Sequence, residues 1–190
     1  PSHTYSMTEG PRLFSIGHGR RDLASFLAIV LARSVSTLVD VRARPSSRRF
    51  PHFAQSPLTD ALREAGIEYV WEGEALGGHR APVRASPHSA LGQEAFRGYA
   101  DHMATRAFRA GAKRLLERGS QECVAFLCAE HFPTDCHRRF LADWLVVHGA
   151  RVGHAVEIDR TDEHVLHPAL RVVDGVFVYD AGRGYQRRLF

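Results

Sequence analysis

The hydrophobic positions along the chain follow two rhythms. Short apolar runs at 13–16, 37–41, 67–71, 123–128 and 152–158 are separated by stretches whose apolar residues recur every three or four positions. The runs predict strands and the periodic stretches predict amphipathic helices, so their alternation predicts an α/β fold with a mainly parallel sheet flanked by helices. Leu13-Phe14-Ser15-Ile16 stops at Gly17, and Leu23, Phe26, Leu27, Val30 and Leu31 then form one helical face behind the capping residue Asp22. Thr37-Leu38-Val39-Asp40-Val41 is apolar on both faces apart from Asp40, as expected of a strand covered on both sides. Leu58 to Ala65 predicts a short helix stopped by Gly66, and 91–118 predicts two helical pieces broken near Met103 to Ala107. A further face, Phe140, Leu141, Trp144, Leu145 and Val147, is expected to begin from a cap at Asp135 and to end at Gly149. Val172 to Tyr179 predicts a C-terminal hairpin about Asp174-Gly175.

Two long segments interrupt this rhythm: 43–57, rich in Arg, Ser and Pro, and 72–89, which carries Gly77-Gly78, Pro82 and Pro87. Loops of that length are uncommon in a compact domain unless they do something. Both follow strands, so in a parallel sheet both leave its carboxyl edge, where ligands of open α/β sheets bind. Polar residues also sit at the ends of the apolar runs: His18, then Asp40 and Arg42, then Glu72 and Glu74, then Cys128 and Glu130. Polar groups there are costly unless paired or used. They are expected to converge on one crevice; the alternative is structural pairing, for example of Asp40 with Arg42 or Arg138.

Composition narrows the class. With 190 residues, 44% hydrophobic and 24% charged, the chain suits one domain with a packed core. That domain is expected over 7–190, with Pro1 to Ser6 read as an expression remnant before Met7. No run approaches the roughly 18 apolar residues of a membrane span, and no secretory leader is evident, so a cytoplasmic location without membrane contact is expected. Three cysteines, an odd number, argue against a disulfide framework. The formal charge of +4 is mild, but Lys113 is the one lysine among 25 basic residues. Arginine suits phosphates and base edges; a GC-rich genome gives the same bias.

Three clusters carry candidate chemistry. Asp40, half-buried in a strand, is the first candidate for a carboxylate that activates water or stabilises a developing cation. Arg42-Ala43-Arg44-Pro45-Ser46-Ser47-Arg48-Arg49-Phe50-Pro51-His52-Phe53 interleaves cations with aromatics, as a nucleic-acid groove requires, or as a solvated loop with its phenylalanines in the core. Cys128 to Arg138 holds two cysteines with seven residues between them, followed by His137 and Arg138. That spacing does not match the usual zinc signatures, and adjacent residues at a helix start point about 100° apart. No metal and no cofactor are therefore expected, and Cys136 stands as either a reactive thiol or a small buried hydrophobe. P-loop, dinucleotide, metalloprotease and serine-hydrolase signatures are absent, which disfavours those chemistries.

The motifs Ser15-Ile16-Gly17-His18, Val39-Asp40-Val41-Arg42 with Pro45-Ser46-Ser47-Arg48, Leu76-Gly77-Gly78, Phe96 with Tyr99, and Leu127-Cys128-Ala129-Glu130 with Cys136-His137-Arg138 occur in that order. In them the chain resembles the domain-of-unknown-function 488 family of bacteria and archaea, from about Leu13 to Ile158; Gly19 stands where a serine or threonine is expected. The resemblance implies a compact α/β domain whose matching residues line one pocket. The leading expectation from the residues is an enzyme on nucleic acid, DNA rather than RNA: a DNA-repair-like N-glycosidic hydrolase removing a modified base. Asp40 or Glu130 would supply the carboxylate and His18 and His137 would orient or protonate the base. Phe50, Trp71 or Tyr99 would stack on it, and Arg42, Arg44, Arg48, Arg49 and Arg138 would hold phosphates. A thiol-dependent enzyme using Cys128 or Cys136 on a small molecule, and a non-catalytic nucleic-acid-binding module, are the alternatives.

Overall fold

The computed structural model describes residues 10–180, so the expected expression remnant lies outside the described residues. The chain runs β1 (Arg12–Gly17), α1 (Leu23–Leu31), β2 (Thr37–Asp40), α2 (Gln55–Glu64), β3 (Glu68–Trp71) and the single turn α3 (Gly73–Leu76). It continues with α4 (Glu94–Met103), α5 (Arg106–Gly119), β4 (Val124–Cys128), α6 (Arg138–Val147), β5 (Arg151–Ala155) and β6 (Thr161–Glu163), then β7 (Leu170–Val173) and β8 (Val176–Tyr179). Six strands form one sheet in the order β3-β2-β4-β1-β5-β6. All neighbours are parallel except β6, which runs antiparallel to β5. The predicted hairpin is β7-β8, a separate two-stranded sheet. Its turn places Asp174 at φ 48° and Gly175 at φ 74°, the left-handed pair that a tight hairpin turn demands.

Strand periodicity sorts the core into two layers. Ile16, Leu38, Ala125 and Leu127 pack with Phe26 and Ile29 of α1 and Leu58 and Leu62 of α2. The alternate residues Leu13, Val39, Val124 and Phe126 pack with Phe108 and Leu115 of α5 and Phe140, Leu141 and Leu145 of α6. The connections after β1 and β2 thus leave over one face, and the connection after β4, which lies between them, leaves over the other. A crevice opens at such a reversal, here at the carboxyl end of β4. Asp22 caps α1 by accepting from Ser25 N at 2.7 Å. Asp135 does not cap α6: it closes a 3-10 turn, Pro133–Asp135, and the helix begins after His137 without a side-chain cap. α2 starts at Gln55 rather than Leu58, and a 3-10 turn, Pro51–Phe53, shortens the loop before it. Among the described residues no helix is long and apolar enough to cross a membrane.

Candidate active site

The crevice is a cavity of about 870 Å³ at the carboxyl edge of the sheet. Four connections supply its wall: His18, Gly19 and Arg20 after β1, residues between Arg42 and Phe50 but not Arg48 after β2, Gly78 and His79 after α3, and Cys128 to Phe132 with Asp135 to His137 after β4. Gln93, Ala95 and Phe96, at the start of α4, complete it. The first and last of these connections are laced together. His18 N donates to Cys128 O at 3.0 Å and Gly19 N to Ala129 O at 2.9 Å. A Cβ on Gly17 would fall 1.7 Å from Glu130 O, so only glycine lets the two backbones meet.

Asp40 does not face the cavity. It is fully buried, and its two oxygens accept from Arg42 N (3.0 Å), Arg42 Nε (2.9 Å), Arg42 Nη2 (2.5 Å) and Tyr69 OH (2.8 Å). Arg42 spends Nη1 on Phe53 O at 2.8 Å. The structural pairing holds: a sealed, saturated carboxylate is not poised to activate water, and Arg42, although it borders the cavity, is committed to Asp40. Arg138 is committed too. It is 1% exposed and donates to Glu130 O (2.6 Å) and His131 O (2.7 Å), shaping the loop after β4 rather than waiting for a phosphate.

The expected stacking residues divide. Phe50 lines the cavity. Trp71 lies away from it, its Nε1 donating to Arg42 O at 2.9 Å. Tyr99 is fully buried, donates to Leu76 O at 3.0 Å, and supports the His137 ring from a centroid distance of 4.8 Å. Neither lines the cavity. Phe96 and Phe132 are the aromatics that accompany Phe50 on the wall. Glu72 has also left the set: it pairs with Arg114 at 2.6 Å on another part of the surface, and Glu74 is not on the wall.

What remains is a rim of cations over a reactive floor. Arg44 and Arg49 on the β2 connection are exposed, line the cavity and have no ion pair among the described residues; Arg48 beside them is exposed but off the wall. Arg20, missed in the sequence, joins the rim, and His131 stands beside it as an imidazole whose pKa is lowered by burial and then by Arg21. Their signal was their place just past β1 and β4. Glu130 is exposed on the wall, and among the described residues its carboxylate has no hydrogen-bond or ion-pair partner. His18 is 4% exposed and stacks on Phe53 at 4.4 Å. Burial, then the Arg42 charge, lower its pKa to about 4, so it is a neutral imidazole at pH 7.

On the floor, Cys128, Cys136 and His137 bring their donor atoms within 4.8 Å of one another. His137 Nδ1 stands 3.6 Å from Cys128 Sγ and 3.8 Å from Cys136 Sγ. Burial alone would raise the Cys136 thiol, but the hydrogen bond with Cys128 and the charges of His137 and Arg138 hold it well below the usual thiol range. Cys128 is pushed up, first by that same hydrogen bond and then by burial. At a helix start Cys136 and His137 would point about 100° apart, an awkward geometry for a shared site. Cys136 is instead extended (φ −136°, ψ 146°) and His137 has turned to φ −60°, ψ −21°, which swings both side chains to one point.

A mainly parallel sheet whose connections reverse over a cation-rimmed, thiol-floored cavity defines an α/β domain of the kind that binds its ligand at the carboxyl edge. The family follows from comparison of the sequence: the model for Domain of unknown function DUF488 matches residues 22–145, more than half of the chain, and the chain belongs to that family. No curated protein and no solved structure matches it.

Proposed function

We propose that the cavity is the active site of a hydrolase that takes in one nucleotide unit of nucleic acid, most concretely an N-glycosidase that removes a modified base from DNA. The observation that carries this reading is a trio of arginines, Arg20, Arg44 and Arg49, that have no ion pair among the described residues, around a cavity of about 870 Å³. That volume lies within the range of small-molecule sites and suits an extruded nucleotide. The arginines meet phosphates, and Phe50, Phe96 and Phe132 offer apolar faces to a base. Glu130 replaces Asp40 as the carboxylate, because it alone of the two reaches the cavity unpartnered. In the reaction the bond between the sugar's anomeric carbon and the base nitrogen breaks, and the base leaves with the electron pair. Water adds its oxygen to the anomeric carbon as Glu130 takes the proton. His18, being neutral, is able to hydrogen-bond a base edge without adding charge.

The test is a product assay on labelled duplexes and single strands carrying a panel of modified and mismatched bases, with hot alkali revealing abasic sites. Strand breaks made by the wild type and lost in Glu130→Gln support the reading. Binding that weakens steeply with salt and yields no product identifies a nucleic-acid-binding module instead. A second reading, thiol chemistry on a small anionic molecule, is favoured by the two sulfurs at the cavity floor. It gains if neither breaks nor binding are seen and the cavity thiols prove essential to turnover of a small substrate.

A further inference from the structure

The floor of the cavity carries more than a pair of thiols. We propose that Cys128, Cys136 and His137 form a zinc site with three protein ligands whose fourth position opens into the cavity. The argument is geometric and independent of the substrate. In a tetrahedral site with Zn–S about 2.3 Å and Zn–N about 2.0–2.1 Å, sulfur and nitrogen ligands stand about 3.6 Å apart. His137 Nδ1 lies 3.6 Å from one sulfur and 3.8 Å from the other, while the whole set of donor atoms spans no more than 4.8 Å. Two sulfurs in such a site stand about 3.8 Å apart, so a metal at the centre draws together a pair no more than 4.8 Å apart, a movement of about 1 Å at most.

The other ring nitrogen is already engaged. His137 Nε2 lies 3.3 Å from Val41 O, an acceptor only, so with a metal bound the ring keeps its proton there and gives the Nδ1 lone pair, which faces the sulfurs, to the metal. A backbone carbonyl on the far nitrogen is the usual outer partner of a metal-bound histidine. The ring is further held by Tyr99 on one side and by the Gly78 backbone, where a Cβ would come within 2.8 Å of Nδ1. Two sulfurs and one imidazole are a soft set that suits zinc rather than magnesium or calcium. All three residues border the cavity, which is the arrangement of catalytic rather than closed structural sites, and zinc so held brings a bound water near neutral pKa. Cys123 takes no part: its sulfur donates to Arg33 O at 3.2 Å, off the cavity wall.

The experiment uses the full chain purified without chelator, with metal content measured by elemental mass spectrometry, then stripped and reloaded with zinc or cobalt(II). One zinc per chain is expected, and cobalt is expected to give thiolate charge-transfer and tetrahedral visible bands. Zinc should slow alkylation of Cys128 and Cys136 and leave that of Cys123 unchanged, a readout that needs no variant. Cys136→Ser and His137→Gln should each weaken zinc binding by at least about 100-fold, since even an outer partner is worth ~10–100-fold, whereas Cys123→Ser should bind as the wild type does. A stripped chain that takes up no zinc, alkylation that is the same with and without zinc, iron or copper in zinc's place, or zinc retained by Cys136→Ser would each overturn the site. Zinc bound by a chain that cleaves no nucleic acid leaves this inference standing and defeats the hydrolase reading; cleavage by a chain that binds no zinc does the reverse.

Discussion

Asp40→Asn separates architecture from catalysis at the most polar point of the sheet. The substitution keeps the shape but exchanges one acceptor oxygen for an amide N–H₂ directed at the Arg42 guanidinium. The remaining oxygen cannot serve Tyr69 OH, Arg42 N, Arg42 Nε and Arg42 Nη2 as the two carboxylate oxygens do. Arg42 is 5% exposed, so its charge stays buried with only neutral acceptors, Phe53 O and the single amide oxygen, in place of the carboxylate. Breaking a buried pair by removing one partner costs about 3–5 kcal/mol, set against a total stability of about 5–15 kcal/mol. For a chain of this length each kcal/mol moves Tm by about 2–4 °C, so a fall of about 6–20 °C is expected. Thermal and urea unfolding measure it directly. Asp40→Leu combined with Arg42→Leu should recover much of the loss, because the cost lies in the orphaned charge rather than in the missing attraction. Asp40→Asn with wild-type Tm and no turnover would refute this account and return the carboxylate to the chemistry.

Stability should also fall with acid, through two buried neutral histidines. Burial and then nearby cations lower the pKa of His18 to about 4, and burial and then His164 lower that of His154 to about 3, from 6.5. The unfolded chain binds protons on both before the native state does, so stability is full above pH 6.5 and is lost as pH falls; each group withdraws about 2 kcal/mol by pH 5. Urea midpoints that stay level from pH 7 to pH 5 would contradict this. Arg44→Ala with Arg49→Ala should leave Tm unchanged and weaken DNA binding alike for all sequences, lowering the salt slope by about 1 per arginine; an unchanged slope in binding titrations would remove the rim from the phosphate path. Gly17→Ala should fail to give folded protein, since its Cβ would lie 1.7 Å from the Glu130 carbonyl oxygen, whereas Gly66→Ala, with nothing within 4 Å but φ at 75°, should fold with a loss of about 1 kcal/mol; circular dichroism and expression distinguish the two. Arg138→Met should cost several kcal/mol because the carbonyls of Glu130 and His131 lose their donors, and near-wild-type melting would show that the loop after β4 holds itself.

The sheet was legible because its central strands are apolar on both faces, and the hairpin because Asp174-Gly175 has one good use. The edge strand β6 was not legible: Thr161-Asp162-Glu163 is polar and short, and it is a strand only because β5 offers it an open edge. The crevice could be placed from strand ends, since topology alone puts His18, Arg42, Cys128 and Glu130 on one wall. Which of them are free could not be read, because that depends on pairings at atomic distance. Asp40 and Arg42 are two residues apart on a strand end, and the same adjacency suits a salt bridge or a shared site. Tyr99 and Trp71 illustrate a different limit: an aromatic near a pocket in sequence faces the cavity or supports the wall from behind, and only side-chain direction tells which. Cys136 and His137 were misjudged for the same reason, their convergence resting on one extended residue before α6.

The position of β1 has a consequence for synthesis. It sits inside the sheet between β4 and β5, and its residue Leu13 pairs with Val124 and Val152. β2 and β3 find each other early, but β1 has no strand partner until 111 further residues, from Leu13 to Val124, have been made. At about 5–20 residues per second the ribosome needs roughly 6–20 s for that stretch. During this interval Leu13 and Ile16, both buried in the finished protein, are without the sheet that covers them. Nascent chains arrested before β4 should therefore be captured by holding chaperones and cut readily by protease, and protection should arrive abruptly once β4 clears the exit tunnel.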